Sequence, residues 1–291
     1  MVNPKPIKAP FQIRSTAREE RYIKMLIYGP FGAGKTYLAA SAKDVPEMRD
    51  VLMINVDAGD KTLSKPDDAI DEITVTDLTT IQRVVEYLRL HVKYRDSKSP
   101  EAKKKLLEME LLYRGEVGTE PKLYNTVIID SLSEVHRLTM NQLLGVDMAT
   151  TEVDSPDRDT TWKDWGQSSS IIMKMVRLFK VLPMHVFGVC PAETKTNEKT
   201  GATMTQPQLP GKLATEILGQ WDIVGLIRSA YVAAEDRVDR RLYLVAGTNY
   251  MAKHRLGDDA PAVIKSPTMA TIMSIYKGEY KQLAAAPTKG S

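Results

Sequence analysis

Short runs of apolar residues recur along the chain, separated by segments in which apolar residues return every three or four positions. A short unbroken apolar run is typical of a strand that is buried on both faces of a sheet. Such runs predict strands at residues 23–28, 51–56, 73–75, 126–130 and 185–190. The other segments predict helices at residues 35–43, 79–94, 132–143 and 165–182. Strands that alternate with helices predict an α/β fold, with a mostly parallel sheet flanked by helices.

Toward the C-terminus the pattern changes from apolar runs to alternation. Residues 222–234 and 241–246 alternate enough to predict an antiparallel hairpin across a turn at residues 235–240. This C-terminal hairpin would add antiparallel strands to the parallel sheet. The preceding segment, residues 194–212, is rich in Thr, Gln, Gly and Lys. Its composition predicts a flexible loop.

The two ends of the chain lack a regular pattern. Residues 1–20 are rich in Pro and Lys and predict an N-terminal arm, whereas residues 257–291 predict a C-terminal tail with one short helix at residues 268–276. We therefore expect one folded core at residues 21–256. Within it, residues 96–120 are charged and helix-prone, which predicts a solvent-facing insertion.

Composition and charge limit the function only weakly. A formal net charge of +3 over 291 residues is too small to argue for nucleic-acid binding without a local basic patch. The single cysteine, Cys190, excludes a disulfide framework and a cysteine-based zinc site, and the four histidines have no metal-ligand spacing. The chain has no long uncharged apolar run. We expect a cytoplasmic protein that neither is exported nor contacts a membrane.

One motif carries specific chemistry. Residues 29–36 read GPFGAGKT and match the phosphate-binding loop G-x-x-x-x-G-K-[ST] in full, between a predicted strand and a predicted helix. Glycines let backbone N–H groups turn toward phosphate oxygens, while the Lys ammonium reaches the β- and γ-phosphates and the Thr hydroxyl binds Mg²⁺. The motif predicts that ATP and Mg²⁺ are bound by Gly29, Pro30, Phe31, Gly32, Ala33, Gly34, Lys35 and Thr36.

Asp130 ends the apolar run at residues 126–130 and is the second candidate for the metal site. In proteins with a phosphate-binding loop, a carboxylate at the end of such a strand holds Mg²⁺ through water. The alternative is an Asp that caps the following helix. Beside the phosphate-binding loop, we favour the metal role for Asp130 together with Thr36.

The ordered set of segments IYGPFGAGKT, INVDAGDKTL, TVIIDSLSEV, LPMHVFGV and MAKHR resembles the RecA-like branch of P-loop ATPases. More closely, it resembles phage-encoded proteins that consist of little more than a RecA core, some of which are Sak-type single-strand annealing proteins. The resemblance runs from about Lys24 to Arg255. It implies a RecA-like P-loop NTPase core that forms a homo-oligomer, either a ring or a filament, and acts on single-stranded DNA. It also implies a host cytoplasmic location and suggests a single-strand-binding protein as a further partner.

The resemblance also implies roles for individual residues. The position of the carboxylate that orients the attacking water holds Asp57, and Asp60 competes with it for this role. The γ-phosphate sensor, usually Gln, corresponds to Glu193. Lys253 and Arg255 resemble a basic element that acts on the γ-phosphate of a neighbouring subunit, although a solvated basic turn would have the same composition.

RecA-like proteins hold DNA with two loops, which correspond here to residues 145–166 and 194–212. The first is acidic and would repel phosphate along its length. Its Trp162 and Trp165 could stack on bases, but at the start of a helix we expect them to pack into the core. The second loop is mildly basic, so the predicted DNA-binding residues are Lys195, Lys199 and Lys212.

We therefore expect an ATPase in which water attacks the γ-phosphate in line, with Lys35 and Mg²⁺ neutralising charge, and which acts on single-stranded DNA in recombination or annealing. Two alternatives stay open. One is an ATP-dependent assembly or partner-binding switch that does not grip DNA, and the acidic first loop favours it. The other is a helicase-like motor, which the lack of a visible accessory helicase domain disfavours.

Overall fold

A central sheet organises the chain. The computed structural model describes residues 22–56, 63, 69–115, 118–146 and 158–280, so the predicted arm at residues 1–20 and the candidates Asp57 and Asp60 lie outside the described residues. In those ranges the sheet has nine strands: β1 (Lys24–Gly29), β2 (Val51–Asn55), β3 (Asp71–Thr74), β4 (Thr126–Asp130), β5 (His185–Thr196), β6 (Thr203–Pro207), β7 (Ile223–Val232), β8 (Arg237–Tyr243) and β9 (Val263–Lys265).

The strands follow the order β3-β2-β4-β5-β1-β7-β8-β9, and β6 pairs with the far end of β5. All neighbours from β3 to β7 are parallel, whereas β8 and β9 are antiparallel. Because parallel strands point the same way, β1, β4 and β5 all end at one edge of the sheet. The predicted α/β architecture, a mostly parallel sheet with a C-terminal antiparallel hairpin, is confirmed.

Helices cover both faces of the sheet, which is why the parallel strands can be almost entirely apolar. They are α1 (Lys35–Ala40), α2 (Leu78–Ser97), α3 (Pro100–Arg114), α4 (Leu132–Leu143), α5 (Trp162–Lys180), α6 (Leu213–Glu216) and α7 (Met269–Tyr276). One apolar cluster joins one sheet face to α2, α4 and α5, and the other joins the opposite face to α1 and α7. No helix in the described ranges combines the length and apolarity needed to cross a bilayer.

Two segments that were predicted to be largely irregular contribute ordered elements to the fold. The expected flexible loop at residues 194–212 instead forms a hairpin, in which the end of β5 pairs with β6 from Ala192 to Thr196. In the expected tail at residues 257–291, the short helix predicted at residues 268–276 is confirmed as α7, with Met269 and Ile272 fully buried. The strand β9 was not predicted, because its three residues are too few to show a period in the sequence.

The hairpin of β7 and β8 forms as predicted, but its turn and the bounds of its second strand differ from the prediction. The turn occupies residues 233–236, so β8 begins at Arg237 rather than at residue 241. β7 lies directly beside β1, with Leu226 opposite Tyr28. The hairpin therefore borders the strand that ends in the phosphate-binding loop.

Candidate nucleotide-binding site

The phosphate-binding loop leaves the sheet at the end of β1 and enters α1. Gly29 has no room for a side chain, because a Cβ atom there would lie 2.2 Å from the carbonyl oxygen of Ile227 on β7. Gly34 precedes α1 with φ of 93°, a left-handed conformation that glycine adopts without strain. Steric space at Gly29 and backbone conformation at Gly34 therefore require glycine at these two positions of the motif.

The Lys35 ammonium lies against its own loop. Its Nζ donates to the carbonyl oxygens of Gly29 (3.1 Å) and Pro30 (2.9 Å), and it stands 5.6 Å from the centroid of the exposed Phe31 ring. Partial burial lowers the pKa of Lys35, while the Asp130 carboxylate raises it. The ammonium is therefore half desolvated and surrounded by oxygen acceptors, a position from which an anionic ligand in the loop would draw it.

Thr36 and Asp130 meet although 94 residues separate them. The Thr36 hydroxyl donates to the Asp130 carboxylate over 2.5 Å. β5 lies between β1 and β4, and its Val189 pairs with Ile27 on one side and with Asp130 on the other. Because β1, β5 and β4 end at the same edge of the sheet, the start of α1 lies over the end of β4.

Asp130 does not cap the helix that follows it. Ser131 occupies the N-cap position of α4, and its hydroxyl oxygen accepts from the backbone N–H of Glu134. The alternative that Asp130 caps α4 is therefore excluded, because Ser131 caps this helix and the Asp130 side chain faces Thr36.

The oxygen chemistry of this pair fits Mg²⁺. A hydroxyl and a carboxylate are the hard ligands that Mg²⁺ takes, and this ion usually keeps several waters and binds substrate phosphates rather than a full protein cage. Among the described residues no group of three or more His, Cys, Asp or Glu side chains could hold a metal by itself. Thr36 and Asp130 would thus hold Mg²⁺ together with the phosphates of the nucleotide.

Glu193 lies just beyond the edge of the parallel sheet. Pro191 pairs with Gly29, so Glu193 stands two residues past the start of the phosphate-binding loop. Its Oε1 accepts from Gln206 Nε2 (2.9 Å) and pairs with Lys195 Nζ (2.9 Å). Gln206, the cross-strand neighbour on β6, is buried and carries the side-chain amide that the RecA-like resemblance expects at the γ-phosphate sensor. Sequence reasoning missed it because β6 was expected to be a loop.

Arg240 of β8 is a second residue that sequence reasoning missed. A Cβ atom on Gly34 would lie 2.9 Å from Arg240 Nε, so this guanidinium packs directly on the phosphate-binding loop. The Nε atom is buried and has no hydrogen-bond partner in the structure as described. Arg240 shares a strand face with the buried Leu242, two residues on. An arginine at an inward-facing strand position was the available sequence signal.

Lys253 and Arg255 lie near the opposite edge of the sheet. Lys253 bridges to Val224, and Arg255 forms an ion pair with Asp222 at 3.0 Å, beside the first residue of β1. The six residues from Lys24 to Gly29 are five steps along β1, so the first and the last lie about 16 Å apart at strand spacing. Neither side chain is therefore close to the phosphate-binding loop of its own chain.

The predicted DNA-binding lysines occupy two different places. Lys195 is on β5 and is paired with Glu193, whereas Lys199 is exposed in the turn between β5 and β6. Lys212 lies at the N-terminus of α6, next to α5. The expectation that Trp162 and Trp165 pack into the core is wrong: they are 92% and 37% exposed, because they start α5 at the rim of the sheet.

Comparison with known proteins identifies a family. The sequence profile of the AAA domain matches residues 21–256. Among solved structures, the flagellar accessory protein FlaH from Methanocaldococcus jannaschii is 12% identical, with a TM-score of 0.39 over 85% of this chain and 88% of that one. The RadB recombinase is also 12% identical, with a TM-score of 0.41 over 84% and 86%. A comparison with curated proteins gave no match.

Proposed function

Because the chain belongs to the AAA domain family, we propose that it binds ATP with Mg²⁺, hydrolyses it, and couples hydrolysis to the handling of single-stranded DNA as a homo-oligomer. The observation that carries the nucleotide part is the contact of Thr36 with Asp130 beside a complete phosphate-binding loop. The motif identifies the loop, and this contact supplies the carboxylate that a metal-dependent phosphoryl transfer needs.

The proposed chemistry is in-line attack of water on the γ-phosphate. Backbone N–H groups of the loop hold the phosphates, and the Lys35 ammonium leaves its carbonyl contacts to neutralise the charge that develops on the γ-phosphate oxygens. Mg²⁺, when bound, neutralises charge on the β- and γ-phosphates. Glu193 and its partner Gln206 are placed past the loop, where they would sense the γ-phosphate. The water-orienting role stays assigned to Asp57, with Asp60 as its competitor.

The positions of Lys253 and Arg255 also support the proposed homo-oligomer. Lys253 and Arg255 lie near the sheet edge opposite their own phosphate-binding loop, so their proposed role requires the γ-phosphate of a neighbouring subunit. A single chain would leave these two cations without a part in the reaction. We therefore assign them to a site shared between two copies.

The DNA part rests on the ordered motifs of the RecA-like resemblance and on the β5–β6 hairpin, which extends past the phosphate-binding loop and carries exposed Lys199. We expect unstructured single-stranded DNA to bind more tightly with ATP than without it, and to change the rate of hydrolysis. Phosphate release with and without DNA, together with fluorescence anisotropy of a labelled oligonucleotide at low salt, measures both.

These two assays separate the parts of the proposal. If the hydrolysis rate is the same with and without DNA, and no ATP-dependent DNA binding occurs at low salt, the partner-binding switch replaces the DNA function. Binding of ATP with no hydrolysis under either condition would remove the enzymatic assignment.

Arg240 is proposed as a nucleotide ligand from the same chain. A guanidinium nitrogen that is buried without a partner is costly, and phosphate oxygens in the adjacent loop would satisfy it. Arg240→Gln is expected to weaken ATP binding about 10-fold or more, the range for loss of a hydrogen bond to a charged group. Calorimetric titration of ATP measures this change. Arg241→Gln is the matched control, since Arg241 is exposed on the other face and pairs with Asp239; equal affinities of the two variants would refute the role of Arg240.

A further inference from the structure

A groove of about 1030 Å³ lies between α5 and the segment that leads from β6 into α6. One wall is a single face of α5, where the lining residues recur every three or four positions from Trp162 to Arg177. Trp162 and Arg177 are fifteen helical steps apart, which is about 22 Å along the axis. The groove is therefore long enough for several bases at the ~3.4 Å spacing of stacked nucleotides.

Two indole rings stand at one end of this groove. Trp162 is 92% exposed, and Trp165 is 37% exposed with its ring stacked on His136 at 5.6 Å. Large aromatic faces in water are unfavourable, and a flat ligand that covers them gains free energy. Duplex DNA keeps its base faces stacked inside, whereas a single strand can present them to aromatic side chains.

The rest of the groove carries positive charge. Lys174 and Arg177 on α5 and Lys212 on the facing segment line it, against one acid, Glu216. Within the described ranges none of the three cations forms an ion pair, unlike Lys195 on the hairpin. The phosphates of a DNA strand would neutralise these three cations, and its bases would cover the two indole rings.

We propose that this groove binds single-stranded DNA, with bases stacked on Trp162 and Trp165 and phosphates paired with Lys174, Arg177 and Lys212. The assignment rests on the DNA part of the proposed function and moves the main contact from the β5–β6 hairpin to α5. Among the predicted DNA-binding lysines, it retains Lys212 as a main contact. Both indoles lie at one end of the α5 face and both α5 cations at the other, so a strand along the groove would stack its bases at one end and pair its phosphates at the other.

Anisotropy of a fluorescein-labelled oligo(dT) tests the groove with ATP present. Trp162→Ala is expected to weaken binding at least about 5-fold, the lower end of the loss for one stacked base. Lys174→Glu with Arg177→Glu is expected to weaken it at least about 10-fold and to reduce the slope of log K against log salt from about −2 to below −1 in magnitude. All these side chains are exposed, so the variants should fold and keep the basal ATPase rate.

Intrinsic fluorescence gives an independent readout, because the chain has three tryptophans and the third, Trp221, is buried. Unlabelled oligo(dT) should quench the emission of the wild type. Trp162→Ala should reduce this quenching, and replacing both Trp162 and Trp165 should abolish it.

The control is Lys195→Glu with Lys199→Glu, which reverses two charges on the hairpin. Loss of binding in this control, with wild-type binding and quenching in the groove variants, would overturn the proposal while preserving the DNA function. No binding by the wild type at low salt would overturn both. A groove variant that changes the oligomeric state in sedimentation but not the affinity for DNA would show that a second copy of the chain covers the groove, and would also refute the proposal.

Discussion

Lys35→Ala is expected to reduce ATP turnover at least about 100-fold, the lower end of the loss when one donor to a developing negative charge is removed. The ammonium is the cation of the phosphate-binding loop, and its hydrogen bonds to Gly29 and Pro30 leave it beside the position of the phosphates. Those bonds stay within one loop, so their loss should leave the rest of the fold intact.

Steady-state phosphate release measures this effect, and circular dichroism with thermal unfolding verifies the fold. Lys43→Ala is the matched control, because it removes the same charge from the next turn after α1, where Lys43 lies near Asp44. Wild-type turnover by Lys35→Ala protein would show that residues 29–36 are not the catalytic phosphate site.

The same variant tests whether the site is shared between subunits. Protein with both Lys253→Ala and Arg255→Ala should keep its affinity for ATP and lose turnover. Mixed with Lys35→Ala protein it should regain activity, because some interfaces then combine an intact loop with an intact basic pair. Mixtures that co-assemble without any recovery would count against a composite site.

Asp130→Asn is expected to lower Mg²⁺-dependent hydrolysis at least about 100-fold and to change Mg²⁺-free nucleotide binding little. The amide keeps the shape and the hydrogen bond from Thr36 but removes the charge that a hydrated divalent cation requires. Raising the Mg²⁺ concentration should recover part of the rate, because the defect lies in metal affinity.

Hydrolysis rates over a Mg²⁺ titration, together with nucleotide binding in EDTA, distinguish this role from a structural one. Asp96→Asn is the control, because Asp96 is an exposed carboxylate on α2 that forms an ion pair with its neighbour Arg95. Equal losses in both assays, or no loss in either, would make Asp130 a structural residue.

Local sequence was sufficient for the elements whose signal is continuous. β4 was predicted with its observed bounds, and α4 begins where the apolar spacing after Asp130 begins. The phosphate-binding loop was also identified from sequence, because its chemistry requires glycines, Lys and Thr at fixed spacing along a single turn. In each case the residues that decide the structure are neighbours in the chain.

Features that depend on distant partners were missed. β6 carries only five residues of mixed polarity, and it becomes a strand because the extended end of β5 offers an unpaired edge. Trp162 is exposed although its residue type favours burial, because α5 begins at the rim of the sheet, where none of the described elements covers its first residue. A hydrophobic pattern reflects the environment that each residue type has on average. It does not show which element, if any, covers a particular side chain in the fold.

The sequence by itself determined that this chain is an α/β protein with a phosphate-binding loop. Only the tertiary structure decided what surrounds that loop: Asp130 against Thr36, Arg240 against Gly34, and Lys253 near the opposite edge of the sheet. Each of these placements follows from the order and register of the strands. Register is set by backbone pairing and core packing summed over the whole sheet, so no local segment encodes it.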